Sequence, residues 1–213
     1  MRKHLVLTAL VLALLAGCAA ASYEPAGAPT GDETLDGQVL TLLREICDPR
    51  ASEEENLRAA YDWVCNEITY RAGTADTTGG FTEDLIQELA REALEKRKGN
   101  CDSEAALMAV LLQRLGCEAQ VVQGQFLREG DDEAIWVDHA WVVAEVEEQY
   151  YHFDPLYGRY YTEDRAGDYF MQSDAALEAT HTWDRETVPA CPYGPYLLKE
   201  RLWGPVPERA GSP

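Results

Sequence analysis

The segment Cys101–Leu115 places the tightest constraint on the fold, because it reads as a helix that is apolar on almost every side. Ala, Leu, Met and Val fill every position from Ala105 to Leu112, without the polar stripe of a surface helix. Such a helix must lie inside a domain, covered by other elements. With 213 residues, 46% of them hydrophobic, the chain is long enough for one globular domain with a buried core.

Three further helices are predicted upstream of this segment. Apolar residues recur at helical spacing over 35–46 and 57–68, and again from Thr82 to a stop at Gly99. Ser52 has a Glu three residues later, which is the pattern of a capping box and marks the start of the second helix.

Downstream of the apolar helix the pattern changes to that of strands. Three segments are predicted as strands, 120–127, 134–147 and 149–154, and a tight turn near residues 147–148 joins the last two. Helices first and an antiparallel sheet second predict an α+β domain.

The start of the chain predicts export. Residues 1–17 combine a basic beginning with an apolar run that is too short to span a bilayer but suits a secretory signal peptide. The run ends in Leu-Ala-Gly-Cys, which resembles the lipobox of bacterial lipoproteins and implies a diacylglycerol on the thiol of Cys18. We therefore expect a cell-membrane protein, lipid-anchored at the extracytoplasmic face. The alternative is an ordinary signal peptide with an incidental cysteine at this position.

The remaining chain divides into three parts. Residues 18–32 are rich in Ala, Ser, Gly and Pro and predict a flexible tether, 33–204 form one folded domain, and 205–213 form a flexible tail. Asp and Glu total 38 against 18 Lys and Arg, so the net charge is −20. This charge excludes a nucleic-acid partner, because it would repel the phosphate backbone.

Cys101 is the residue whose surroundings most favour reactivity. Asn100 suits an N-cap, so Cys101 lies in the first helical turn, beside free backbone N–H groups and the positive end of the helix dipole. Such surroundings favour the thiolate over the thiol. His139 lies within one predicted strand and Asp154 at the end of the next. Joined by a turn near 147–148, the two strands bring these side chains close together across the ladder.

Four blocks in this order resemble the bacterial transglutaminase-like superfamily: Gly99-Asn100-Cys101 with its apolar helix, 121–124, 139–141 and 150–155. The resemblance implies a papain-like fold, with N-terminal helices and a buried nucleophile helix packed on an antiparallel sheet. It also implies Cys101 as the nucleophile, His139 as base and acid, and Asp154 as the group that orients the imidazole.

A family of this kind implies a cysteine protease, amidase or transglutaminase-like acyltransferase that acts on peptide or glutamine amides through a thioester. The backbone N–H of Cys101 is one candidate oxyanion donor. The second donor is not placed by the sequence, and Tyr70 and Trp63 are the two candidates. The alternative function is a catalytically inactive lipoprotein that serves as a binding module at the cell surface.

No metal or other cofactor is predicted. Without His4, which leaves with the signal peptide, three histidines remain, and none has the spacing of metal ligands. We interpret His152 and His181 as structural residues. An acidic calcium-binding loop is also missing from the sequence.

Four cysteines remain after Cys18 and Cys101 are assigned: Cys47, Cys65, Cys117 and Cys191. An even number in an exported protein allows two disulfides in three pairings. If the first two helices form an antiparallel pair, Cys47 and Cys65 lie about 20 Å apart, which disfavours a disulfide between them. The other pairings stay open. Four reduced, packed thiols are the alternative.

Overall fold

The computed structural model describes residues 22–73, 75–128, 134–159 and 169–194. Within these ranges no helix is both long and apolar enough to cross a membrane. The signal peptide, Cys18 and the tail 205–213 lie outside the described residues, so the predictions made for them stay predictions.

Helices precede the main sheet along the chain. The elements, in order, are α1 (Glu33–Ile46), α2 (Glu53–Glu67), β1 (Thr69–Tyr70), α3 (Glu83–Lys96), β2 (Lys98–Gly99), α4 (Cys101–Leu115), β3 (Ala119–Arg128), β4 (Ile135–Val146), β5 (Gln149–Phe153), α5 (Pro155–Gly158), α6 (Asp174–Leu177) and β6 (His181–Trp183).

The apolar helix α4 is the centre of the core, as its sequence predicts. All eight residues of 105–112 are almost inaccessible to solvent. The helices α1, α2 and α3 cover this helix on one side, and β3 and β4 of the sheet cover it on the other. Each end is capped, because the side chain of Asn100 accepts a hydrogen bond from the N–H of Ser103, and Gly116 takes the left-handed conformation, φ 106°.

The four-stranded sheet has the order β5-β4-β3-β6 and is antiparallel throughout. A two-residue turn, Glu147-Glu148, joins β4 to β5, and both residues have positive φ, as a type I′ turn requires. Alternate residues of β4 enter two cores: Ala140 and Val142 face the helices, whereas Trp141 and Val143 pack under residues 169–191. The predicted α+β, papain-like fold is confirmed.

The end of α3 differs from the prediction. The helix ends at Lys96 because Arg97 adopts the left-handed conformation, φ 50°, and Gly99 belongs to a short strand instead of stopping the helix. This strand pairs in parallel with β1, Tyr70 against Gly99. A Cβ at Gly99 would lie 2.6 Å from the Cβ of Ser103, so a glycine is required for the close approach to α4.

The predicted tether is shorter than expected, because residues 22–32 lie against the domain. Tyr23 packs on the helical core, and the N–H of Gly27 donates to the carbonyl of Arg114 at 3.0 Å. Asp32 caps α1 and forms an ion pair with Arg91. Composition did not indicate this contact, because one aromatic side chain and a few backbone hydrogen bonds are sufficient to hold the segment.

The pairing of β3 with β6 requires a glycine at position 124. We therefore expect Gly124→Ala to destabilise the domain. A Cβ at Gly124 would lie 2.2 Å from the carbonyl oxygen of Thr182 and 2.7 Å from the Trp141 ring. Overpacking of this kind costs about 1–3 kcal/mol, measured by denaturant unfolding. The matched control is Gly37→Ala on the surface of α1, where nothing lies within 4 Å. It is expected to stabilise by about 0.5–1 kcal/mol. Equal effects of the two substitutions would contradict the prediction.

Candidate active site

Cys101 is the first residue of the buried helix and remains partly exposed to solvent. Its position is fixed by Asn100, whose side-chain amide also donates to the carbonyl of Gly73 at 2.8 Å. The cap thereby connects the helix start to the loop after β1. Backbone N–H groups of the first turn have no partner within the helix, and that of Ser103 donates to Oδ1 of Asn100 at 3.1 Å.

His139 and Asp154 are in contact, although their register differs slightly from the one expected. Val142 pairs with Phe153, so Asp154 is level with Trp141, and His139 is its diagonal neighbour two residues away. Nε2 of His139 lies 2.8 Å from Oδ2 of Asp154, and both side chains are buried. An imidazole is long enough to bridge this diagonal.

The thiol of Cys101 lies close enough to His139 to contribute to the raised pKa of the imidazole. Sγ of Cys101 itself lies 3.9 Å from Oδ1 of Asp102. Because an ionised carboxylate only accepts hydrogen bonds, the proton on Nε2 of His139 is directed to Asp154. The structure thus joins His139 directly to Asp154 and places Cys101 in their neighbourhood.

Burial and charge shift the pKa values of His139 and Asp154 in opposite directions. Burial by itself would lower the pKa of His139, but the charge of Asp154, its hydrogen bond and the interaction with Cys101 raise the pKa to about 9. Burial would raise the pKa of Asp154, yet His139 and His181 hold it well below its usual range. Since the folded-state pKa of His139 is raised, the pair contributes stability that is fully present below pH ~6.5. This stability is lost as the pH rises through about 9.

A second histidine contacts the same carboxylate, and the sequence did not indicate it. Nε2 of His181 lies 3.0 Å from Oδ2 of Asp154, and the ring is buried. The strand β6, which carries His181, is three residues long and pairs with β3 at Phe126. A strand this short, far along the chain, has too weak a pattern to be placed from sequence.

The helix α2 fixes the backbone that carries the acid. The hydroxyl of Tyr61 donates to the carbonyl of Asp154 at 3.0 Å, and the thiol of Cys65 donates to the carbonyl of Pro155 at 3.3 Å. Oδ1 of Asp154 accepts from the N–H of Tyr157 at 3.3 Å and caps the short helix α5. Asp154 is therefore held through both its backbone and its carboxylate.

A buried ion pair connects the nucleophile helix to the segment after Asp154. Oε2 of Glu104, one turn after Cys101, lies 2.5 Å from Nη2 of Arg159. Glu104 is completely buried, and its second oxygen has no hydrogen-bond partner. Burial raises the pKa of Glu104 to about 8, and Arg159 offsets part of that increase.

A second Cys–His–Asp group lies on the same face of the sheet but has a different proton arrangement. Nε2 of His152 lies 2.8 Å from Oδ1 of Asp174, and Cys191 is beside them. The indole N–H of Trp141 donates to Nδ1 of His152 at 3.0 Å, so the ring proton must be on Nε2. Burial lowers the pKa of His152 to about 4, only partly offset by Asp174. Neither nitrogen is left for a thiol.

Among the residues that the structure describes, two groups of side chains have ligand atoms within 4.8 Å of one another, as a metal site requires: His139, Asp154 and His181, and His152, Asp174 and Cys191. In each group the imidazole Nε2 directs a proton at the carboxylate, and a metal would have to displace it. The hydrogen bonds already account for both arrangements. That the protein needs no metal stays a prediction.

The four remaining cysteines are free thiols in the structure, each buried. The disulfides that the sequence allowed are therefore not formed, and the reduced alternative describes the structure. Burial raises the pKa of three of them: Cys47 to about 11, and Cys65 and Cys117 to about 12. Burial also raises the pKa of the Cys191 thiol, so all four are far less reactive than an exposed thiol.

The two candidates for a second oxyanion donor lie in different surroundings. Tyr70 is 47% exposed and pairs with Gly99, two residues before Cys101. The guanidinium of Arg97 lies over the ring of Trp63, 4.3 Å from its centroid, and the ring packs against the helical core. Tyr70 is thus the candidate on a segment next to the thiol.

Residues 41–155 match the family model of the transglutaminase-like superfamily. The chain belongs to this superfamily. The matched range includes Cys101, His139 and Asp154 and ends before His181.

Three solved structures are similar to the chain at 18% identity. A proposed cysteine protease from Cytophaga hutchinsonii has a TM-score of 0.42 over 57% of this chain and 37% of its own. A TGase has a TM-score of 0.45, and the match covers 63% of this chain and 34% of the TGase. A proposed protease from Parabacteroides distasonis has a TM-score of 0.38, and the match covers 56% of this chain and 25% of that protease. The chain thus spans well under half of the length of these proteins. No curated protein matches it.

We expect Asp154→Asn to lower the pKa of His139 from about 9 to below its ordinary value of ~6.5. The amide removes the charge that opposes burial, so the desolvation of the ring then dominates. The measurement is an NMR titration of the His139 ring. Asp174→Asn, at the carboxylate of the second histidine pair, is the matched control and should leave His139 unchanged. A His139 pKa that stays near 9 in Asp154→Asn would refute this electrostatic account.

Proposed function

We propose that this protein is a cysteine enzyme that transfers or hydrolyses acyl groups of peptide or glutamine amides through a thioester on Cys101. One observation supports it above the others: a partly exposed thiol at the start of a buried helix lies near an imidazole that is bound to a buried carboxylate. This is the nucleophile–base–orienting group arrangement of covalent catalysis.

The mechanism uses a charged pair of thiolate and imidazolium, and the raised pKa of His139 supplies the imidazolium at neutral pH. The thiolate attacks the amide carbonyl, a C–S bond forms, and the oxyanion is stabilised by backbone N–H groups at the start of α4. Nδ1 of His139 then gives its proton to the leaving nitrogen as the C–N bond breaks. Water, or an amine, attacks the thioester after His139 removes its proton, and the thiolate is restored.

The exposure of the site residues sets limits on the substrate. His139 and Asp154 are almost inaccessible, so the amide must approach from the exposed side of Cys101. The negative charge of the chain disfavours polyanionic ligands and is compatible with a basic peptide or amine. We propose a peptide or protein amide as the substrate, with no cofactor.

A thiol reagent should label Cys101 before the other cysteines, and part of that preference should depend on His139. Exposure alone would favour Cys101, since the other four described thiols are buried. We therefore expect His139→Ala to slow labelling of Cys101 at pH 7 by about 10-fold or more, because the thiolate loses its counter-charge. His152→Gln, which changes the histidine of the second group, is the control. Peptide mass spectrometry measures each rate; equal rates in wild type and His139→Ala would exclude an activated thiol.

Turnover distinguishes an enzyme from a binding module that retains the fold. We expect ammonia or peptide release, or amine incorporation, that disappears in Cys101→Ala while the melting temperature is kept. Activity should fall as the pH rises through about 9, where His139 loses its proton. Activity that persists in Cys101→Ala would disprove the thioester mechanism. Binding of amide peptides without turnover, despite a labelled Cys101, would favour the binding module.

We propose further that the protein is anchored to the outer face of the membrane through a lipid on Cys18. The support is the Leu-Ala-Gly-Cys sequence after a basic and apolar leader. Cys18→Ser should move the protein from the membrane fraction to the soluble fraction and abolish incorporation of a labelled fatty acid. Membrane association that survives this substitution would contradict the lipid anchor.

A further inference from the structure

We propose that His181 is a positioning residue for the candidate active site, which holds the Asp154 carboxylate in the orientation that His139 requires. This proposal rests on the proposed function, since it assigns a role within the same site. His181 acts through Asp154, whose Oδ2 its Nε2 approaches to 3.0 Å.

The first argument is the sharing of one oxygen. Oδ2 of Asp154 accepts from Nε2 of His139 at 2.8 Å and from Nε2 of His181 at 3.0 Å, whereas Oδ1 accepts a longer bond from the N–H of Tyr157 at 3.3 Å. Two donors from different strands meet at the oxygen that orients His139. Without His181, the carboxylate would keep the bond to His139 and the longer bond at Oδ1, and it would be freer to turn about its χ2 torsion.

The second argument is the direction of the His181 proton. Nε2 of His181 lies 3.0 Å from Oδ2 of Asp154, and because an ionised carboxylate only accepts hydrogen bonds, Nε2 carries the proton. Nδ1 lies 2.9 Å from Oγ1 of Thr180, whose hydroxyl also donates to the carbonyl of Leu177 at 3.4 Å. Burial lowers the pKa of His181, the opposite direction to His139, so the ring remains neutral and adds no second positive charge.

The third argument is the packing that keeps the ring in place. His181 is almost completely buried, and its ring meets Phe126, Trp141 and Tyr169 at centroid distances of 5.1, 5.0 and 5.4 Å. The backbone of β6 is fixed to β3 by the pairing of His181 with Phe126. Because the His181 ring is held in place, its Nε2–H restricts the orientation of the Asp154 carboxylate.

Other titratable groups also interact with this carboxylate, and the experiment has to account for them. Besides the two histidines, they are Cys65 from α2, Glu104 from α4, and Tyr157 from α5; Cys101 from α4 interacts with it through His139, and Arg159 through Glu104. The hydrogen bonds that reach Oδ2 come from His139 on β4 and His181 on β6. A change at His181 therefore reaches His139 through Asp154.

The test compares His181→Leu, which removes the donor, with His181→Gln, whose amide can still donate to the carboxylate. In His181→Leu we expect kcat to fall about 10-fold with little change in KM, because the imidazole is misplaced and substrate contacts are kept. The alkaline limb of the pH profile should move to lower pH, as in Asp154→Asn. His181→Gln should recover most of kcat and return the limb toward its original position.

An NMR titration of the His139 ring gives a readout that does not need turnover, so it remains informative if the protein proves inactive. We expect the pKa of His139 to fall in His181→Leu and to recover in His181→Gln. The control is His152→Gln, which alters a histidine of similar burial on a different carboxylate and should leave the His139 titration unchanged. If His181→Leu fails to fold, Thr180→Val provides the same test with a smaller shift in the same direction. A lower melting temperature with an unchanged His139 titration would overturn the proposal and leave His181 a structural residue.

Discussion

The charge of Asp154 is the constraint on which the rest of the site depends. A carboxylate with no solvent exposure is stable only if donors replace the water it has lost, and leaving it unpaired would cost several kcal/mol. Here the donors come from three separate elements: His139 on β4, His181 on β6 and the backbone of α5. These bonds join the sheet to the segment around residue 154, so the fold and the site are stabilised by the same bonds.

The nucleophile is fixed independently of the acid and then joined to it. Asn100 and Gly99 set the start of α4, one by its cap and the other by its lack of a side chain. The Glu104–Arg159 ion pair connects the first turns of that helix to the chain just after Asp154. The helix of Cys101 and the segment of Asp154, whose residues lie 53 positions apart in the chain, are thus connected independently of His139. Such rigidity favours a site whose geometry exists before substrate arrives.

The sequence predicted those parts of the molecule that are encoded locally. Helical period, the Ser52 capping box, the Asn100 cap and the β4–β5 turn all appear where expected, because each depends on neighbouring residues. His139 and Asp154 followed from that turn, with an offset of two residues that only the actual register reveals. The contact of His181 with Asp154 could not be predicted, because it spans 27 residues and depends on a three-residue strand. The docking of residues 22–32 was missed for the same reason, since it depends on distant partners.

Proximity of a cysteine, a histidine and an aspartate does not by itself define a reactive site, and the two groups of this molecule differ in how the histidine is bound. In the group of His152 and Asp174, the indole of Trp141 can only donate, so it occupies the nitrogen that a thiol would need. Trp141 makes no such bond to His139, whose pKa the nearby Cys101 helps to raise. The indole stacks on His139 at 5.7 Å while its N–H donates to His152. One indole on an interior strand therefore contacts both histidines and makes only His152 unavailable to a thiol.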